Sequence, residues 1–241
     1  IVGLFSMNYP PEGLKEFMKV IGVDGLVNST LSEIGYSMDE FVKANKGEVL
    51  LAFTDFNMQQ KAMGDMGDVK IDPPITRPMP DFKVLFAASI NDRAAFEKLV
   101  ATLKSKSGEL PMDKLPPISY SMNDNWFAAS NSQEVVNQFL AGGNNNWPVV
   151  SKLSGHPVIF YLDIQKLMQP FASDSSSRMG NVIMSENAKM WENMIGTGGE
   201  IVNGAMVASF EVNLVDKNTN ALKQLNQFFD RLHATSRKQP F

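Results

Sequence analysis

Hydrophobic residues recur along this chain at two spacings, which together predict strands and helices. Between residues 205 and 215, Met206, Ala208, Phe210 and Val212 alternate with other side chains, most of them polar. A period of two is typical of a strand that exposes one face to water.

A turn signal and a helix flank this strand. Asn-Gly at 203–204 separates it from an apolar segment at 200–202, and Asn-Gly favours a two-residue type I′ hairpin. Apolar residues then recur at helical spacing over 221–232. The sequence therefore predicts an antiparallel strand pair followed by an amphipathic helix.

The same order of elements is predicted twice, over residues 1–105 and 157–234. The first set comprises a strand at 2–7, helices near 11–21, 24–34 and 37–45, strands at 47–56 and 82–90, and a helix with its apolar stripe at 96–103. The second comprises a strand at 157–163, helices near 164–171 and 184–195, a Gly-Glu strand at 199–202, and the strand and helix described above. We interpret this order as an internal duplication.

The predicted fold class is α+β, with antiparallel sheet surfaces covered by helices and two related halves. The halves are residues 1–108 and 157–241. Residues 109–156 connect them through a hairpin, at 118–122 and 126–130, and a helix. A continuous sheet across both halves, and hence one compact domain, is compatible with this division.

One segment, 57–81, interrupts the regular pattern with four prolines. It is too long for an ordinary connection, which predicts a functional loop, an oligomer contact or a mobile excursion. Met63 and Met66 lie within it, and flexible thioethers suit either an adaptable contact surface or packing beneath a loop.

Composition narrows the function classes. The 241 residues are 44% hydrophobic, with 22 Lys and Arg against 26 Asp and Glu, so the net charge of −4 does not favour nucleic-acid binding. Cysteine is absent, which excludes thiolate chemistry and disulfides. No apolar run approaches the roughly 18 to 20 residues of a transmembrane helix.

Catalytic and cofactor motifs are absent as well. The sequence lacks the nucleophile-elbow, zinc-protease, phosphate-loop and dinucleotide patterns, so no catalytic residue, cofactor or metal site is predicted. An acidic cluster at Asp65, Asp68 and Asp72 does not have EF-hand spacing. A carboxylate-based hydrolase using Asp55 and Asp163 is the alternative, although an Asp at a strand end commonly binds backbone amides of a turn.

An aromatic residue follows a polar run at 142–146. Trp147 suits stacking on a sugar ring if it is exposed, or serves as an apolar anchor if it folds back. Candidate binding residues are therefore Trp147, Met63, Met66, Asp55 and Asp163.

Residues 47–56 (GEVLLAFTDF) and 218–225 (NTNALKQL) resemble a family of large cell-envelope lipoproteins from Bacteroidetes-type bacteria that has no assigned activity. The resemblance implies a periplasmic or outer-membrane-attached protein. Such proteins begin with a lipoprotein signal and a lipidated cysteine, so this chain is expected to be a truncated or matured form whose precursor carries a lipid anchor.

These observations predict a non-catalytic cell-envelope protein that binds an envelope protein, a glycan or another ligand through the 57–81 segment or a groove between the halves. Two alternatives remain: a hydrolase acting on glycans or peptides, and a structural repeat of a larger envelope assembly.

Overall fold

A computed structural model describes residues 1–62, 76–107, 117–143, 147, 149–172 and 178–237 of the chain. The strands are β1 (Gly3–Asn8), β2 (Asn45–Ala62), β3 (Thr76–Ile90), β4 (Ser119–Met122), β5 (Trp126–Ser130), β6 (Val158–Asp163), β7 (Trp191–Val202) and β8 (Ala205–Leu214). The helices are α1 (Pro11–Val20), α2 (Asp24–Glu33), α3 (Met38–Ala44), α4 (Arg93–Ser107), α5 (Gln133–Leu140), α6 (Val150–Leu153), α7 (Ile164–Ala172), α8 (Arg178–Met190) and α9 (Ala221–Arg237).

All eight strands form one antiparallel sheet in the order β4-β5-β3-β2-β1-β6-β7-β8. The pairing of β1 with β6 joins the segments 1–108 and 157–241 in the same sheet. This confirms the α+β class and the antiparallel sheet backed by helices. Both segments also repeat the order strand, helices, two strands, helix. That the two halves are copies of one another remains a prediction.

One turn and several bulges shape the hairpins. The predicted turn between β7 and β8 has positive φ angles at Asn203 (53°) and Gly204 (79°), as a type I′ turn requires. Extra residues interrupt the pairing of β2 with β3 beside Asp55 (φ 54°) and of β7 with β8 at Gly199 (φ 92°). Such bulges increase the local twist of a strand.

Helices lie against both faces of the sheet. On one face, α4 packs through Phe96 against Ala88 and Ile90 of β3. On the other, α5 packs through the fully buried Val136 against Leu85 and Ala128. Because side chains alternate along a strand, Ala88 and Leu85 belong to opposite faces. We call the face beneath α4 the apolar face and the face beneath α5 the opposite face.

The structure corrects the interpretation of residues 57–81 as an irregular segment. Residues 57–62 continue β2 and pair with 76–81 of β3, extending the hairpin. Two prolines, Pro78 and Pro80, are tolerated there because β5 pairs only with Leu85–Ser89, which leaves the outer part of β3 at an edge of the sheet.

Two further expectations were wrong. The helix predicted over 184–195 ends at Met190, and β7 begins at Trp191. Met190 and Met194 fit a helical spacing, but Asn193 and Ile195 are buried with the period of a strand. Consequently Gly199-Glu200 lies near the end of β7, whereas Gly47-Glu48 lies near the start of β2, so these two pairs do not occupy corresponding positions.

Among the described residues, no helix is both long enough and apolar enough to span a bilayer.

Candidate functional site

On the apolar face, one row of paired residues crosses the eight described strands. Its side chains are apolar apart from the hydroxyl of Tyr120. From edge to edge, the row is Tyr120, Ala129, Phe86, Leu51, Phe5, Phe160, Gly196 and Phe210. Seven interstrand steps of about 4.8 Å give the row a length of about 34 Å. We call it the transverse row.

The rows on either side are equally apolar. One comprises Met122, Phe127, Ala88, Val49, Met7, Val158, Gly198 and Ala208. The other comprises Val84, Phe53, Gly3, Leu162, Met194 and Val212. By contrast, a row of the opposite face contains Ser121, Ala128, Ala87, Leu50, Ser6, Ile159, Thr197 and Ser209. This row of the opposite face carries four polar residues, whereas the three rows of the apolar face carry no polar group except the Tyr120 hydroxyl.

Much of the transverse row is open to solvent. The exposed fraction is 42% for Phe86, 39% for Phe5 and 63% for Phe210. Antiparallel sheets commonly expose one face, but an exposed face normally carries polar side chains. A contiguous exposed apolar surface on a soluble domain is typical of an interaction site.

At the β4 end of the row, α4 forms a wall and encloses a groove of about 560 Å³. Phe86, Tyr120 and Phe127 line its floor, and Leu99 and Leu103 of α4 line its side. This volume lies within the range of about 300 to 1,000 Å³ that is usual for small-molecule sites, which are likewise lined mainly by apolar and aromatic side chains.

Aromatic packing holds the groove in shape. The ring centroid of Phe127 lies 5.4 Å from that of Phe96 on α4 and 6.0 Å from that of Tyr120 on β4. The Lys104 ammonium lies 4.5 Å from the centroid of the Tyr120 ring, a cation–π contact at the end of the row. Together these contacts link α4 to the two outer strands.

A glycine lies between two phenylalanines in the far part of the row. A Cβ atom at Gly196 would lie 3.4 Å from Cβ of Phe160 and 3.5 Å from a ring carbon of Phe210, which is ordinary van der Waals contact. The row therefore has room for a small side chain at this position and carries none.

Few polar groups line the groove. Among the described residues these are the hydroxyls of Tyr9 and Tyr120, the Asn45 amide and the Lys104 ammonium. Burial raises the pKa of Tyr9 above its ordinary value. Asn45 donates a hydrogen bond to the Phe41 carbonyl at 2.8 Å. This arrangement suits binding of an apolar ligand.

The predicted carboxylates Asp55 and Asp163 lie outside the transverse row and the groove. Asp55 lies at the β2 bulge, and its carboxylate is 2.9 Å from the Lys83 ammonium and largely exposed. That ion pair raises the pKa of Lys83.

Asp163 begins α7. Its Oδ1 accepts a hydrogen bond from the Lys166 amide at 2.9 Å, and its Oδ2 lies 2.9 Å from the Lys166 ammonium. The Tyr161 hydroxyl donates to Oδ2 at 3.4 Å, and burial raises the pKa of that hydroxyl. Asp163 therefore has the helix-capping role that an Asp at a strand end commonly has.

Trp147 folds back as an apolar anchor. Its ring centroid lies 4.6 Å from that of Tyr161 in an edge-to-face contact, and it packs against the buried cluster of Leu153, Tyr161 and Ile195. Met63 and Met66, together with the acidic cluster at Asp65, Asp68 and Asp72, lie outside the described residues.

Sequence reasoning missed the phenylalanines of the transverse row. The alternation predicted for β8 is confirmed, but its apolar side is exposed at Phe210 and Met206 and not buried. The alternation in the sequence identifies the apolar side of a strand. It does not give the strand order, which is what aligns these residues in one row.

No His, Asp and Glu side chains within the described ranges are grouped so that three of them could hold a metal ion. Comparisons with protein families, with curated proteins and with solved structures find no match.

Proposed function

We propose that this chain is a non-catalytic binding protein of the cell envelope, and that its apolar face binds the hydrocarbon chain of a lipid. The observation that carries the proposal is the transverse row, an exposed apolar band with Phe5 and Phe160 at its centre and the groove beneath α4 at one end. Removing such a surface from water is favourable by about 25 cal/mol per Å².

A hydrocarbon chain fits this face better than a peptide does. The central strands β1, β2, β6 and β7 are each paired on both sides, so their backbone groups are used within the sheet. A peptide lying on them would bury its own N–H and C=O groups without partners, at about 1 to 3 kcal/mol for each group. An acyl chain has no such groups to satisfy.

The length of the row supports the same ligand class. The row is about 34 Å long, and the hydrocarbon core of a bilayer, which holds two acyl chains end to end, is about 30 Å thick. One chain would therefore fill about half of the row, and two chains would fill it. A location in the cell envelope, proposed from the family resemblance, would bring the protein close to lipids.

Fluorescence titration with dansyl-labelled undecanoic acid, followed by displacement with palmitate, tests this proposal. We expect saturable binding, weakened about tenfold by Phe86→Ser or Phe5→Ser, since a tenfold change corresponds to about 1.4 kcal/mol of lost apolar contact. Circular dichroism should show that both variants remain folded.

Phe17→Ser is the matched control, because Phe17 on α1 is an equally large apolar residue that is 58% exposed and lies outside the apolar face. It should bind the probe as the unmodified chain does. Equal binding by the Phe17, Phe5 and Phe86 variants, or no saturable binding at all, would contradict the proposal.

A further inference from the structure

Strand β8 forms one edge of the sheet, and its outer side is unpaired within the described part of the chain. It is ten residues long and pairs with β7 alone. Its outward N–H and C=O groups therefore present a template for another strand.

This edge lacks the features that usually protect an edge strand. Between Ala205 and Leu214 there is no Lys, Arg or Pro. Met206 is 76% exposed, and Phe210 and Val207 are exposed as well. The single charged residue, Glu211, forms an ion pair with Lys152 at 2.9 Å. Long, apolar and nearly uncharged edges are the ones that pair with further strands.

The other edge of the sheet is different. Strand β4 has only four residues, and the Lys104 ammonium lies over the ring of its Tyr120. A short edge strand with a nearby lysine is a common protection against pairing. Of the two terminal strands of the sheet, β8 is therefore the one that offers a long unprotected edge within the described residues. The outer part of the β2–β3 hairpin also lies at an edge, but it carries Pro78 and Pro80.

We propose that β8 pairs antiparallel with β8 of a second copy of this chain, forming a twofold symmetric dimer with a continuous sheet. A pair of ten-residue strands forms roughly ten backbone hydrogen bonds, about the number found in an ordinary protein–protein interface. Glu211 is the single charged residue of β8 and lies beside the Lys152 ammonium, so little like charge opposes a second copy of the strand.

Symmetry also determines which faces meet. When a strand pairs with its own copy about a twofold axis, residues on the same face lie opposite one another. The apolar face of one copy would therefore continue into the apolar face of the other, with the two Phe210 side chains near the junction. This inference does not depend on hydrocarbon binding, because the pairing uses the backbone of β8.

Sedimentation velocity of the 241-residue chain over a range of concentrations tests the dimer. We expect a reversible dimer whose dissociation constant rises at least tenfold in Ser209→Glu. Ser209 is exposed and lies on the same face as Glu211, so this substitution places further negative charge opposite the carboxylates of the second copy and leaves the apolar face intact. Ser29→Glu, on the exposed surface of α2, makes the same change in charge away from the edge and should not alter the dimer.

Cross-linking gives a second readout, because the chain has no cysteine of its own. Among single cysteine substitutions at residues 207 to 211, the variant nearest the twofold axis should form an intermolecular disulfide on mild oxidation, and Ser29→Cys should not. A residue at the axis would lie opposite its own copy. Paired residues of antiparallel strands have Cα atoms about 4.5 to 5.5 Å apart, which is within the range that a disulfide spans. A monomer at all concentrations, a dimer unaffected by Ser209→Glu, or equal cross-linking at residue 29 would overturn the inference. Because the apolar face is unchanged in Ser209→Glu, probe binding by that variant separates this outcome from failure of the proposed function.

Discussion

Phe5 of β1 lies directly opposite Phe160 of β6, at the pairing that joins the first and last parts of the chain in one sheet. Paired residues of an antiparallel sheet share a face, so both side chains belong to the apolar face. The centre of the proposed binding surface therefore depends on a contact between residues that are 155 positions apart in sequence (160 − 5).

Gly47 should be essential for the entry into β2. Its φ is +103°, and a Cβ atom there would lie 1.8 Å from the Tyr9 carbonyl oxygen. We expect Gly47→Ala to lower the free energy of unfolding by about 3 kcal/mol or more. Alanine is strained at this φ, and its Cβ atom would also displace the backbone carbonyl of Tyr9. Urea denaturation measures the effect.

Gly22→Ala is the control for this prediction. Gly22 also has a positive φ, of +75°, but nothing lies within 4 Å of a Cβ atom at that position. Gly22→Ala should lower the free energy of unfolding by about 1 kcal/mol, because only the backbone conformation is unfavourable for alanine. Equal costs for the two substitutions would show that the contact with Tyr9 is unimportant.

Glu186 connects α8 to α9, and its removal should make stability less dependent on pH. Its carboxylate binds Lys189 at 2.9 Å and Arg231 at 2.6 Å, and these contacts hold the pKa of Glu186 below its ordinary value. A lowered pKa stabilises the fold above the unfolded-state value of about 4.3, and this stabilisation is lost as the pH falls through the folded-state pKa.

Glu186→Gln should therefore cost about 1 kcal/mol at pH 7, and its difference from the unmodified chain should shrink below about pH 4.3. Urea denaturation at several pH values provides the measurement. Glu16→Gln removes a more exposed partner of Lys19 and should change stability much less. A difference that grows as the pH falls would contradict this assignment.

Asp163 should act as a helix cap. Asp163→Ala removes the acceptor for the Lys166 amide and should cost about 1 kcal/mol of stability, whereas Asp163→Asn keeps an acceptor and should cost little. Thermal or urea unfolding of both variants distinguishes the two. Equal destabilisation by Ala and Asn would mean that the negative charge, rather than the cap, is what the fold requires.

The sequence predicted the local elements well because their signals are local. The Asn-Gly turn at 203–204 and the alternation over 205–215 each lie within a few residues, and both are confirmed. The transverse row was not predictable in this way. Alternation shows that Phe210 and Phe5 each lie on the apolar side of a strand, but only the strand order and the register align them across the sheet.

The same contrast applies to the candidate site residues. The sequence around Asp163 and Trp147 is compatible with a structural or a binding role, and the structure shows Asp163 in a helix-capping contact and Trp147 against Tyr161. Residues 57–62 and 76–81 were expected to be irregular because prolines usually interrupt a strand. Their pairing depends on an edge that β5 leaves uncovered, which is a property of the whole sheet.

The most direct test of the central claim is an isotope-filtered NMR experiment that detects contacts between the methylene protons of palmitate and the aromatic protons of the chain. Hydrocarbon binding along the transverse row predicts intermolecular contacts to the rings of Phe5, Phe86 and Phe160. Contacts confined to rings elsewhere, such as Phe17, or no intermolecular contacts at saturating palmitate, would contradict it.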